Sequence, residues 1–192
     1  MPADTIARRD DAVLVVVDEQ ERLAVAMERR ESVLANTLRL VRTAALVGVP
    51  VVVTRQYPKG LGDIESRLAD ELATAQGVGA QVTFVDKVAF DCFGESAFAE
   101  MVQRSDRRQL LLAGMETHIC VAQTALSALR EGFDVHVVAD ACCSREAGSH
   151  ELALARVRGA GAVVTVAESV MYELVGEAGT DEFRSLLAIV KE

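Results

Sequence analysis

Nowhere in this chain do lysine and arginine form a run. The nearest approaches are Arg29 with Arg30 and the segment "RSDRR" at 104–108, which reads as a solvated helix end. The formal net charge is -9. Affinity for nucleic acid rests on clustered cations that neutralise phosphates, so no nucleic-acid partner is expected. No apolar segment approaches the ~20 residues needed to span a bilayer, so no membrane partner is expected either. The opening residues, "MPADTIARRDD", carry charge without a hydrophobic signal core, which argues against secretion by that route. There is no CxxC. The four cysteines stand at 92, 120, 142 and 143, and an adjacent pair is a poor start for a disulfide framework. A chain of 192 residues buries roughly 70% of its unfolded surface and needs no such staples. The cysteines therefore read as reduced thiols of a cytoplasmic protein. Also missing are GxGxxG, GxxxxGK[ST] and GxSxG. A single His-x-Cys is not a zinc site, so no metal and no cofactor are implied.

What is present is a 51% hydrophobic composition arranged in a recurring pattern. Short apolar runs alternate with longer amphipathic ones. The short runs are "VLVVVD" (13–18), "VPVVVT" (49–54), "QVTFVD" (81–86), "QLLLAG" (109–114), "FDVHVV" (133–138) and "GAVVTV" (161–166). Most are apolar without alternation, as parallel strands covered on both faces are. Between them, "ESVLANTLRLVRTAALVG" places Leu34, Leu38, Val41 and Ala45 on one helical face and stops at Gly48. "VAQTALSALREG" closes on Gly132 in the same way. "ESAFAEMVQRSDRR", "SHELALARVRGAG" and "TDEFRSLLAIVKE" complete the helical candidates, the last with Thr180 as its N-cap. The alternation predicts right-handed βαβ units in an α/β fold, a Rossmann-like three-layer α/β/α sandwich spanning residues 1–192 as one domain.

Ligands of such folds bind beyond the carboxyl ends of the strands, which directs attention to the residues at the end of each apolar run. Asp18 ends the first; it is either a functional carboxylate or a helix cap. Lys87 comes directly after the third; by default it reads as a solvated surface lysine, with an inward ammonium, which its apolar and aromatic neighbours make more credible, as the alternative. Cys120 comes after the fourth, before a helical run. As a buried thiol it is packing. Near a helix N-terminus, its pKa falls from about 8.5 toward neutrality or below, and it becomes a nucleophile. Cys92, Cys142 and Cys143 lack that placement and read as structural. His118 reads as pocket lining, with general base as the alternative; His136 lies within a strand and His150 near a helix start.

Together, "VVVDEQ", "VDKVAF" and "AGMETHICV" resemble the isochorismatase-like cysteine hydrolases. "VVVTRQYPKGLG" (51–62) and "VVADACCSRE" (137–146) are similar to the subgroup of isochorismatase domain-containing proteins. The likeness runs from about Ala12 to Leu187. It implies a six-stranded parallel sheet, a catalytic triad of Asp18, Lys87 and Cys120, and a cis peptide joining Met115 to Glu116. It further implies an oxyanion site at the backbone N–H groups of Glu116 and Cys120. Nicotinamidases of the superfamily carry a metal site that includes histidine after the second strand. Here no histidine precedes His118, so that site is not expected. The isochorismatases proper lack the nucleophilic cysteine, so Cys120 points instead to hydrolysis of a small amide-like C–N bond through a thioester. Pocket candidates, chosen by closeness to the motifs, are Gln20, Tyr57, Phe90, Phe93 and His118. The alternatives are a non-catalytic small-molecule binding or scaffolding protein of the same fold, and a thiol sensor pairing Cys120 with Cys92 or Cys143. A homo-oligomer is expected, as is usual in the family.

Overall fold

The computed structural model describes residues 5–191; residues 1–4 and 192, the two ends of the expected domain, lie outside them. Six strands form one sheet: β1 (Ala12–Val17), β2 (Val51–Gln56), β3 (Val82–Lys87), β4 (Gln109–Met115), β5 (Asp134–Cys143) and β6 (Val163–Thr165). Their spatial order is β3-β2-β1-β4-β5-β6, and every pairing is parallel. The helices are α1 (Glu21–Ala24), α2 (Arg30–Val47), α3 (Pro58–Leu61), α4 (Ser66–Gly77), α5 (Ser96–Arg104), α6 (Ala122–Arg130), α7 (Ala147–Gly159), α8 (Ala167–Val175) and α9 (Asp181–Lys191).

The central strands are buried on both sides, which is why they read as unbroken apolar runs, whereas the edge strands β3 and β6 are partly exposed. Leu14, Val16, Val51, Val53 and Leu111 pack under α2, α4, α8 and α9. Val13, Val15, Val17, Val52, Leu110 and Leu112 pack under α5, α6 and α7. The expected three layers are thus present. Gly48 ends α2 in the left-handed conformation (φ 75°), and the Thr180 hydroxyl oxygen accepts from the Phe183 N–H, 3.0 Å away, to cap α9. Four helices escaped the sequence pattern: the single turns α1 and α3, and the longer α4 and α8. Helix α4 starts without a Ser, Thr, Asp or Asn cap, since it is the Glu65 carboxylate that accepts from the Arg67 and Leu68 N–H groups.

Strand order reverses between β1 and β4, so the crevice at their carboxyl ends is the topological switch point. Two features fit the chain there. Gly114 has φ 121°, and a Cβ on it would stand 2.0 Å from the Val17 carbonyl oxygen, so only glycine lets β4 lie this close to the end of β1. The β4–β5 register shifts between Leu112 and Gly114, and beyond the shift β5 runs on to pair Cys143 with Met115. Residues expected to lie past the fifth strand therefore continue it, and the segment after Cys143 arrives beside the loop at the end of β4.

Candidate functional site

Asp18, Lys87 and Cys120 come from three separate strand ends. Asp18 sits just after β1 with φ 54°, a conformation that Asp tolerates better than most residues. Its Oδ1 accepts the Thr54 hydroxyl at 2.7 Å, and its Oδ2 lies 2.7 Å from Lys87 Nζ. Both side chains of this ion pair are fully buried. Oδ2 has no well-aligned hydrogen bond despite that contact, which leaves a lone pair open. Strand alternation decides the role of β3's end: Asp86 faces outward to Arg55 (2.6 Å), and Lys87 faces inward.

The ammonium is held by more than Asp18. Nζ donates to Gln56 Oε1 (2.5 Å), the Ala89 carbonyl (3.2 Å) and the Phe90 carbonyl (3.3 Å). Burial opposes the charge, but Asp18 and the nearby sulfurs of Cys92 and Cys120 outweigh it and hold the lysine pKa above its ordinary value. Gln56, which sequence reasoning passed over, is itself fixed by Gln20. The Gln20 amide takes the Gln56 N–H at 2.7 Å and donates to the Gln56 and Gly62 carbonyls at 3.1 and 2.8 Å. Gln20 is fully buried, so its expected place in the pocket is corrected: it is a clamp on the backbone.

Cys120 lies within a π-helical turn (Thr117–Val121) that runs directly into α6. It is 5% exposed, and the charges of Asp18 and Lys87 both act on it. The expected fall in its pKa is corrected. Burial, and next the Asp18 carboxylate, push the thiol well above its ordinary value, and Lys87 only partly offsets them. The sulfur sits inside a helical turn in a dry site and not on the open N-terminus that the sequence suggested. At rest it is a neutral thiol beside a carboxylate. Cys92 is fully buried in the same region, its N–H bound to Thr124 Oγ1 at 3.1 Å, and burial pushes its thiol up to about 12. All four cysteines are buried and unpaired in disulfides.

The Met115–Glu116 peptide bond is cis. The turn after it is tied down by three consecutive side chains. The Glu116 carboxylate accepts from the Arg145 N–H (2.9 Å) and guanidinium (3.2 Å). Thr117 Oγ1 meets His150 Nδ1 at 2.9 Å, and His118 Nδ1 meets Ser144 Oγ at 2.9 Å. Of the remaining pocket candidates, Tyr57 and Phe90 are 53% and 54% exposed and stand in the segments that follow β2 and β3. The Tyr57 N–H donates to the Lys87 carbonyl (2.8 Å), and its ring lies so close over Gly60 that a Cβ there would approach Cδ1 to 2.4 Å. Phe93 is corrected: half-buried, it packs edge-on against Phe98 (5.2 Å between centroids) and against Phe133, at the margin of the core. A surface depression of about 560 Å³, lined by Asp91, Gln123, Ser127, Arg130 and Arg156, does not include Cys120. Among the described residues, no group of three or more His, Cys, Asp or Glu is placed to hold a metal ion.

A doubly wound parallel sheet with a carboxylate, an ammonium and a thiol gathered at its switch point defines an α/β protein of the isochorismatase-like hydrolase fold. The isochorismatase domain profile matches residues 12–169, and the chain belongs to that family. It is 37% identical to the secreted isochorismatase effector Isc1 of Phytophthora sojae, over 94% of this chain and 85% of that one. It is 35% identical to isochorismatase domain-containing protein 1 of Salmo salar, over 93% of this chain and 60% of that longer protein. Among solved structures, the MAR1 ribonuclease of Caenorhabditis elegans superposes with a TM-score of 0.86 at 28% identity, covering 97% of this chain and 93% of the other. The YcaC product of Escherichia coli, described as an octameric hydrolase of unknown specificity, gives 0.84 at 25% identity, with coverage of 98% and 92%.

Proposed function

We propose that this chain is a cysteine hydrolase that cleaves a small amide-like C–N bond through a thioester on Cys120. The observation that carries the reading is the buried Asp18–Lys87 pair at 2.7 Å beside the Cys120 thiol. Asp18 takes the thiol proton as the sulfur attacks the carbonyl carbon, then returns it to the amine as the C–N bond breaks. Because the thiol is neutral at rest, this transfer accompanies the attack. Lys87 Nζ lies among Gln56 Oε1, Asp18 Oδ2 and the Ala89 and Phe90 carbonyls, so it acts as a fixed cation beside the Asp18 carboxylate and does not shuttle protons. The backbone N–H groups of Glu116 and Cys120 receive the oxyanion, typically worth ~2.7–4 kcal/mol per donor. Water that has lost a proton to Asp18 then releases the acid. Tyr57 and Phe90 frame the mouth, and His118 lines one side.

A pocket kept only for binding has no use for a carboxylate, an ammonium and a thiol together, which argues against a scaffold. The sensor reading is weakened by burial: sensing thiols are exposed and acidic, whereas Cys92 and Cys120 are buried with raised pKa values. One neighbour is described as a ribonuclease, but a net charge of -9 without a basic cluster is a poor match for RNA. The substrate is therefore a small molecule, and no cofactor enters the scheme. We further assign the chain as a single-domain homo-oligomer, supported by the octameric neighbour. We place it in the cytoplasm on the strength of its four free thiols, although one relative is described as secreted. Among the described residues, no helix is long and apolar enough to cross a membrane.

The test is a screen of small amides and carbamoyl compounds. On any compound that is turned over, Cys120→Ala lowers the rate by at least about 10⁴-fold while circular dichroism is unchanged. Turnover that survives the substitution removes Cys120 from the chemistry.

A further inference from the structure

Next to Asp18 stands a second buried acid that the proposed chemistry does not use. The Gln20 N–H donates to the Asp18 carbonyl at 2.8 Å, closing a three-residue turn with Glu19 at its centre. Asp18 points to the α5–α7 side of the sheet, and Glu19 points the other way. Glu19 is 1% exposed; its Oε1 shares a 2.6 Å hydrogen bond with Thr37 Oγ1 on α2, and its Oε2 has no partner. Its backbone carbonyl accepts the Glu65 N–H at 2.9 Å. We infer that Glu19 is a positioning residue: its uncharged side chain, wedged between α2 and β5, holds the Asp18 turn in place, and ionising it releases the turn. This inference rests on the proposed function only in giving Asp18 and Cys120 their importance.

The orphaned oxygen is the first argument. An unpartnered carboxylate oxygen in a dry site is very costly, whereas the carbonyl oxygen of a neutral acid is far less so. The surroundings are the second. The titratable groups around Glu19 are Asp18 next to it in the chain, Glu65 before α4, and the thiols of Cys142 and Cys143 on β5. Arg30 faces Glu65 at 3.2 Å, while Arg29 and Glu116 act on Cys143. Burial first, and the Glu65 carboxylate as well, raise the Glu19 pKa to about 8, with Thr37 pulling it down. At neutral pH the acid is protonated. Above pH 8 a charge appears one residue from Asp18, repels it and Glu65, and loosens the turn that carries Asp18, the carboxylate acting on the thiol.

The experiment needs no substrate. Alkylation of Cys120 by iodoacetamide is monitored by peptide mass spectrometry from pH 6 to 10 in the full-length wild type, Glu19→Gln and Thr37→Val. In the wild type the rate climbs by more than tenfold per pH unit until about pH 8, because Glu19 and the thiol both lose protons, and by tenfold beyond it. Glu19→Gln keeps the shape and the bond to Thr37 but does not ionise, so its rise is tenfold throughout. Thr37→Val removes the group that favours the charged form and moves the steep segment to higher pH. Coincident profiles for the three proteins overturn the assignment. If Glu19→Gln does not fold, the Thr37→Val shift decides, and an unmoved segment overturns the assignment. Because these readings use alkylation alone, failure to find a hydrolysed amide is a separate result that counts against the proposed reaction and not against Glu19.

Discussion

Lys87 has more oxygens around it than hydrogens to give. Asp18 is the one that receives charge without a well-aligned hydrogen bond, and this separates the lysine's structural duty from its electrostatic one. Lys87→Met leaves Asp18 buried without a counter-ion. The loss is expected at about 3–5 kcal/mol by urea denaturation, and adding Asp18→Asn to it recovers a good part. Equal stability of Lys87→Met and wild type refutes the pairing. At this scale the sequence was informative about identity and poor about direction. Asp18, Lys87 and Cys120 were legible because each stands after an apolar run at one edge of a predictable sheet. Gln20 and Phe93 were misplaced because nearness to a motif does not say where a side chain points. A single 3₁₀ turn at Cys92–Gly94 turns Phe93 against the margin of the core while Phe90 stays outside. Gln56 carried no signal at all, since its role depends on the pairing of Gln56 with Lys87 across β2 and β3.

The elements that matter most are β4 and the turn after it. Their position depends on Gly114, where a side chain meets the Val17 backbone, so Gly114→Ala must either push β4 away from β1 or break the end of the strand. A loss of at least about 3 kcal/mol is expected from thermal or urea unfolding, with the Asp18–Cys120 approach lost alongside it. A neutral substitution shows that the close approach is dispensable. The central strands were readable because burial on both faces leaves no polar interruption. Their ends were less so: β2 begins at Val51 because Gly48 caps α2 first, and β5 extends to Cys143 through a register shift that no local pattern announces. The ties from Glu116, Thr117 and His118 to Arg145, His150 and Ser144 depend on that extension, and so lay beyond reach of the sequence.

For the molecule as a whole, burial of its thiols fixes how stability responds to alkali. Cys92 and Cys143 are each raised to about 12 by burial, and Cys120 and Cys142 move the same way. Their folded pKa values exceed the unfolded value near 8.5, so this contribution is complete below about pH 8.5 and is lost as pH rises above it. The loss is up to about 1.4 kcal/mol per pH unit for each thiol, and the raised pKa of Lys87 acts in the same direction at higher pH. Urea midpoints falling steeply between pH 9 and 11 are expected; a flat profile contradicts the burial of the thiols.

The central claim is that the Cys120 sulfur becomes covalently acylated, and it is tested most directly by trapping. A substrate found by the amide screen is mixed with enzyme, quenched in acid within the first turnover, and the protein is weighed by mass spectrometry. The expected result is a mass increase equal to the acyl group, located by peptide mapping on Cys120 and absent from Cys120→Ala. A turnover that proceeds with no adduct on Cys120 at any quench time, and at an undiminished rate in Cys120→Ala, contradicts it.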